Sequence, residues 1–94
     1  MSATRLAEDA VVRELAALPA WARDGDAIRR TRTFADFRTA MIFVNGVAAL
    51  AEKANHHPDM TIHYNEVTLR LWSHDAGGLT TRDFTLARTI DAIL

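Results

Sequence analysis

Apolar side chains recur at steps of three and four residues through the middle of this 94-residue chain. The stripe consists of Phe34, Phe37, Met41, Val44, Ala48 and Ala51. This spacing places the side chains on one face of a helix, so it predicts a long helix over residues 34–55, with Thr33 as its cap and the stripe in the core. Pro58 disfavours helical backbone at the residue before it, so the helix must end near Asn55 or His56.

The segment before this helix predicts a shorter helix and a hairpin. Residues 4–18 have an amphipathic pattern that indicates a first helix, with Thr4 as its cap and Pro19 as its stop. Residues 21–23 and 27–34 flank an Asp-Gly pair that favours a tight turn, so they are expected to form two antiparallel strands.

The segment after the central helix predicts a second hairpin and a last helix. Residues 61–64 and 66–73 are strand candidates, and the second alternates apolar with polar side chains as a half-buried strand does. Thr80 begins the last helix, with Asp83 as its capping-box partner. The order α-β-β-α-β-β-α predicts an α+β fold, a single domain over residues 1–94 with helices packed on one face of a four-stranded antiparallel sheet.

Composition excludes several classes of function. With 11 basic and 12 acidic side chains the net charge is −1, which gives no electrostatic footprint for nucleic acid or an anionic membrane. There is no cysteine, so neither disulfides nor thiolate metal sites can form. The chain has no apolar run long enough to span a bilayer, and the expected location is the cytoplasm. A core of this size is marginal, which favours a homo-oligomer.

Histidines are the candidate functional residues. His56 and His57 follow the central helix, whose C-terminal end carries partial negative charge and favours a protonated imidazole. His74 follows a predicted strand and precedes a glycine loop, a common place for a functional side chain on a rigid support. Two other interpretations remain: a solvated helix end, and a metal site of three imidazoles, although no His-x-x-x-His spacing supports the second. His63 is expected to point outward from its strand.

Several positions together resemble the signature of the pterin-4a-carbinolamine dehydratases. The run over residues 52–58, which reads EKANHHP, is followed at the family's spacings by Tyr64, His74 and Asp83. The stretches DGDAIRRTRTFADF and SHDAGGLTTRDFTLA also resemble the family's hairpin and its active-site loop with the last helix. Met60 departs from the family pattern, because many members carry an aromatic residue there.

The resemblance implies a dehydratase that uses histidine acid–base catalysis and needs neither a cofactor nor a metal. It implies catalytic roles for His56, His57 and His74, with His56 and His74 as the acid–base pair. The implied substrate-binding residues are Glu52, His57, Pro58, Ser73 and Asp83. Glu52, one helical turn before His56, is expected to face the same side of the helix and to orient His56 or bind the pterin.

The resemblance also implies partners. The substrate would be a pterin recycled after an aromatic amino-acid hydroxylase, and the protein would form a homodimer or homotetramer. An alternative is a non-catalytic module that binds a pterin or acts as a dimerisation coactivator, as animal members of the family do for a homeodomain transcription factor.

Overall fold

A computed structural model describes residues 4–94, and the first three residues of the predicted domain lie outside this range. The helices are α1 (Glu8–Ala16), α2 (Phe37–Ala54) and α3 (Thr81–Asp91). The strands are β1 (Ala22–Asp24), β2 (Ala27–Thr33), β3 (Asp59–His63) and β4 (Glu66–Leu71). A single 3₁₀ turn spans His74–Ala76. The predicted order of helices and strands is confirmed.

The four strands form one antiparallel sheet in the order β1-β2-β4-β3. Alternate side chains of β4, namely Val67, Leu69 and Leu71, are buried in the core with residues of α2 and α3 such as Val47 and Phe84. The intervening side chains of β4 point to the other face of the sheet, because successive residues of a strand alternate. The prediction of helices on one face is therefore confirmed. Within residues 4–94, no helix is long and apolar enough to cross a membrane.

The start of α2 differs from the prediction. The backbone N–H of Phe34 donates to the carbonyl of Asn65 at 2.8 Å, and the Asn65 side chain donates to the carbonyl of Phe34 at 2.7 Å. These bonds hold Phe34 against the β3–β4 turn and keep it out of the helix. Asp36 caps α2 instead of Thr33, and its carboxylate accepts the Thr39 N–H at 2.8 Å.

The buried face of α2 is also shifted from the predicted stripe. The buried residues of the helix are Ala40, Phe43, Val44, Val47 and Ala51. Phe37 is 49% exposed, so its placement in the core was wrong. Phe34 lies outside the helix and packs its ring against Phe43, with 5.1 Å between the ring centroids.

The first helix is shorter than predicted at both ends. The N–H of Leu6 donates to the carbonyl of Leu79 at 2.8 Å, which holds the chain in an extended path before the helix. The helix therefore begins at Glu8, its cap makes no side-chain hydrogen bond, and Thr4 is not the cap. It ends at Ala16, before the predicted stop.

We expect the cap of α2 to make stability depend on pH. Hydrogen bonds from the backbone N–H and side chain of Thr39 hold the pKa of Asp36 below its ordinary value. The stabilisation is therefore present above the unfolded-state pKa of about 4 and is lost as the pH falls through the lower folded-state value. Melting of Asp36→Ala by circular dichroism should occur below the wild-type temperature near neutral pH and converge with it in acid.

Asn is a comparable helix cap that does not titrate, which makes Asp36→Asn the matched control. Its melting temperature near neutral pH should lie closer to wild type than that of the alanine variant. A difference in melting temperature between wild type and Asp36→Ala that stays constant over the whole pH range would contradict the role given to the ionised carboxylate.

Candidate active site

The end of α2 sets the directions of the two adjacent histidines. Asn55 has left-handed backbone angles, with φ 50° and ψ 42°. The N–H of Asn55 donates to the carbonyl of Glu52 at 3.2 Å, and that of His56 donates to the carbonyl of Ala51 at 3.1 Å. These two bonds form a Schellman motif, which ends a helix and turns the chain away from its axis. His56 and His57 therefore leave the helix in different directions and meet different carboxylates.

His56 is bonded to a buried carboxylate of the last helix. The His56 Nε2 atom lies 2.6 Å from Oδ1 of Asp83, and the two side chains are 10% and 0% exposed. The other oxygen, Oδ2, accepts the Ser73 hydroxyl and the Thr80 N–H, each at 2.9 Å. An ionised carboxylate can only accept hydrogen bonds, so opposite an ionised Asp83 the Nε2 atom of His56 is the donor and Nδ1 is the other ring nitrogen.

Asp83 also forms the predicted capping box of α3, which is confirmed. The Thr80 side chain accepts the Arg82 N–H at 3.2 Å, while the Asp83 side chain accepts the Thr80 N–H. The Thr80 and Ser73 hydroxyls lie 2.9 Å apart inside the protein. One buried network therefore joins the start of α3, the residue before the 3₁₀ turn and the imidazole of His56.

Glu52 contacts a different histidine from the one expected. Its Oε2 atom lies 2.5 Å from Nε2 of His57, and both side chains are exposed, 78% and 55% respectively. The expectation that Glu52 faces His56 assumed continuous helix between them, and the left-handed Asn55 breaks that spacing. An exposed pair of this kind contributes little to stability.

His74 reaches the site from the other end of the chain. It follows β4 in the 3₁₀ turn, and its ring stacks on Trp72 with 3.8 Å between centroids and 38° between planes. The guanidinium of Arg70 lies 5.7 Å from the Trp72 ring. Arg82 of α3 donates to Asp75 at 2.5 Å and ties the turn to the helix. Sequence reasoning assigned no role to Trp72, although the i, i+2 spacing from Arg70 through Trp72 to His74 is a strand pattern that could have indicated the stack.

A cleft of about 450 Å³ joins these parts. Its lining consists of Asn55, His56, His57, Pro58, Asp59, Trp72, His74 and Asp75. Asp59 pairs with Arg70 in the sheet, so the start of β3 lies beside the end of β4 and the two histidine-bearing segments meet. No group of three or more histidine and carboxylate side chains in residues 4–94 is arranged to hold a metal ion.

The predicted site residues divide into two groups. His56, His57, Pro58 and His74 line the cleft. Glu52 is bonded to His57, while Ser73 and Asp83 are buried in the network behind His56 and do not line the cleft. Their roles toward a substrate stay predictions. The link between His56 and Asp83 spans 27 positions and depends on the tertiary fold.

The family model described as pterin 4 alpha carbinolamine dehydratase matches residues 4–93. The chain belongs to this family. A relative from Thermomicrobium roseum is provisionally named a pterin-4-alpha-carbinolamine dehydratase. It is 54% identical over 86 residues, which is 92% of this chain and 92% of the relative. A relative from Acidobacterium capsulatum with the same provisional name is 52% identical over 90 residues, which is 96% of this chain and 98% of the relative.

A solved structure agrees with this membership of the pterin-4a-carbinolamine dehydratase family. The crystal structure of a protein from Brucella melitensis, described as a transcriptional coactivator/pterin dehydratase, superposes with a TM-score of 0.92. It is 38% identical and covers 96% of this chain and 98% of its own. Met60, where many pterin-4a-carbinolamine dehydratases have an aromatic residue, pairs opposite Leu69 and does not line the cleft, whereas Trp72 does.

Proposed function

We propose that the protein catalyses dehydration of a 4a-hydroxytetrahydropterin to the quinonoid dihydropterin and water. In this step the C4a–O bond breaks and the hydroxyl leaves with an added proton. N5 loses its proton, and its electron pair forms the C4a=N5 double bond. The site therefore needs one proton donor and one proton acceptor, and no electron is exchanged.

The observation that carries the proposal is the convergence of three imidazoles on one cleft. His56 and His57 come from the end of α2, and His74 comes from the turn after β4. A cleft of about 450 Å³ is within the range of small-molecule sites, and a pterin is a flat bicyclic ring. Imidazole can donate or accept a proton near neutral pH, which suits both halves of the reaction.

His56 is assigned as the base. Its Nε2 atom is held by the buried carboxylate of Asp83 at 2.6 Å, so Nδ1 is the free ring nitrogen that accepts the N5 proton. The resulting imidazolium would be stabilised by the same carboxylate, because opposite charges attract strongly where water is excluded. Ser73 and Asp83 would then act on the pterin through His56 and not by direct contact.

His74 is assigned as the acid. Its ring is positioned at the cleft by the stack on Trp72, with 3.8 Å between the ring centroids. The Arg82–Asp75 ion pair holds the turn that carries His74. His57, paired with Glu52 at the rim, is assigned to binding the pterin ring, and Pro58 shapes the adjoining wall.

Direct measurement of turnover tests this function. The 4a-hydroxytetrahydropterin is generated in a stopped-flow instrument and its ultraviolet absorbance decay is followed with and without the protein. We expect the first-order decay to accelerate in proportion to protein concentration. A rate equal to that of spontaneous dehydration at every protein concentration would refute the enzymatic function.

A second candidate function is a non-catalytic pterin-binding or coactivator module. The observation that favours it is a set of large apolar side chains that are exposed to solvent and that a protein partner would bury. They include Val12, Phe37, Ile42, Ile93 and Leu94. The Brucella melitensis protein, whose description joins both roles, indicates that enzyme and coactivator are named together in this fold.

These exposed side chains also support the proposal that the protein forms a homodimer or homotetramer. Burying them between copies would add apolar contact area to a small core. A functional link to an aromatic amino-acid hydroxylase follows from the proposed reaction, because such an enzyme would release the hydroxylated pterin that this one dehydrates.

A further inference from the structure

A second groove lies between α2 and α3 and is bordered by His56. Its volume is about 490 Å³, similar to that of the cleft. Its lining consists of Leu50, Lys53, Ala54, His56, Thr81, Arg82, Thr85, Leu86 and Thr89. His56 lines both cavities, so the proposed base stands where the cleft and the groove adjoin.

Two cationic side chains distinguish this groove from an ordinary gap between helices. Lys53, the only lysine of the chain, forms no ion pair within the part of the chain that the structure describes. Arg82 donates to Asp75 through Nη2, but its buried Nε atom has no hydrogen-bond partner. Favourable interaction with the helix dipole accounts for a lysine in the last turn of α2 but not for the unpartnered Nε.

The chemistry of the pterin ring brings a substituent to this point. C6 is bonded directly to N5, the atom that loses its proton in the proposed reaction. A substituent on C6 is therefore attached to the atom next to N5, the nitrogen that faces His56 in the proposed reaction. The groove next to His56 is the cavity in which such a substituent can lie.

We infer that the groove receives an extended C6 substituent that ends in an anionic group, and that pterins of this class are preferred ligands. Leu50, Ala54 and Leu86 supply an apolar wall for the middle of the substituent. Lys53 and Arg82 supply the countercharge for its end. A short neutral substituent fills less of the groove and offers Lys53 no charged partner. The inference rests on the proposed pterin cleft and adds a preference among pterins.

Binding of two unreactive probes tests the preference. 7,8-Dihydrofolate carries a p-aminobenzoylglutamate substituent with two carboxylates, and 7,8-dihydrobiopterin carries a short neutral dihydroxypropyl group on the same ring. Isothermal titration calorimetry should give tighter binding of dihydrofolate to the wild type. Lys53→Met should lower the ratio of the two affinities by about two- to fivefold, because one exposed charge partner is lost. Lys53→Arg should restore most of it.

The matched control is Arg38→Met, which removes the same charge from an exposed position of α2 outside the groove. Its affinity ratio should equal that of the wild type. Equal affinities for the two probes, or a ratio unchanged by Lys53→Met, would overturn the inference. Neither probe is turned over, so a failed dehydration assay would reject the proposed function without deciding this preference.

Chemical labelling locates the substituent independently. An N-hydroxysuccinimide ester labels amines. The chain offers it two targets, its only lysine, Lys53, and its amino terminus, and mass spectrometry separates the two products. Dihydrofolate should protect Lys53 relative to the amino terminus, and dihydrobiopterin should not. If Lys53 is unreactive in the free protein, the groove is closed to a substituent and the inference is wrong.

Discussion

Replacing His74 with alanine is expected to lower kcat for carbinolamine dehydration by about two to four powers of ten, the usual contribution of one general acid or base. The side chain is exposed and contacts Trp72, so its removal leaves the core intact. Stopped-flow decay of the 4a-hydroxytetrahydropterin gives the rate, and circular dichroism checks the fold. His56→Ala should lose a comparable factor, but it also deprives Asp83 of a partner, which makes His74→Ala the cleaner measurement.

The chain provides a matched control in His63. This histidine lies on β3, is exposed and does not line the cleft. His63→Ala removes the same side chain and should keep wild-type kcat within about twofold, since no contact with the reacting atoms is lost. Equal kcat values in the His63 and His74 variants would show that His74 takes no part in catalysis.

Replacing Asp83 with alanine is expected to reduce the free energy of unfolding by about 3–5 kcal/mol. The carboxylate is fully buried and accepts hydrogen bonds from His56, Ser73 and Thr80, and all three lose this acceptor at once. The loss is a large part of the 5–15 kcal/mol that is typical of a domain. Urea unfolding followed by far-ultraviolet circular dichroism measures it.

Two further variants show whether the network causes this effect. Asp83→Asn keeps the volume but presents an N–H₂ group to donors, so it should lose about 2–3 kcal/mol. Asp26→Ala removes an exposed carboxylate that lies 3.4 Å from Arg5 and should cost less than about 1 kcal/mol. A loss of similar size in the Asp26 and Asp83 variants would show that the buried hydrogen bonds contribute no special stability.

The sequence predicted those features that depend on neighbouring residues. Pro58 placed the end of α2 correctly, and the spacing of Thr80 and Asp83 predicted the capping box that the structure contains. The alternation in β4 indicated a half-buried strand, with Val67 and Leu69 on its core side. Each of these follows from local backbone sterics or from the period of one element, which a single sequence records.

Features that depend on distant residues were predicted wrongly or not at all. Asn65 binds the backbone of Phe34 across 31 positions, and α2 begins only at Phe37. No residue next to Thr33 indicates this contact. The left-handed Asn55 turns Glu52 toward His57 and away from the expected partner. The stack of Trp72 on His74 depends on the position of the 3₁₀ turn, which the sequence did not indicate.

The Asp83 carboxylate contacts both the start of α3 and His56, which affects how a substitution at this position would be detected. One oxygen of this carboxylate caps α3 and the other holds His56, so a substitution there weakens the fold and releases His56 together. In a living cell, quality-control proteases remove chains that have lost even 1–2 kcal/mol of stability. Variants at Asp83 would therefore be detected first as low abundance on a blot, and only then as low specific activity of the surviving molecules.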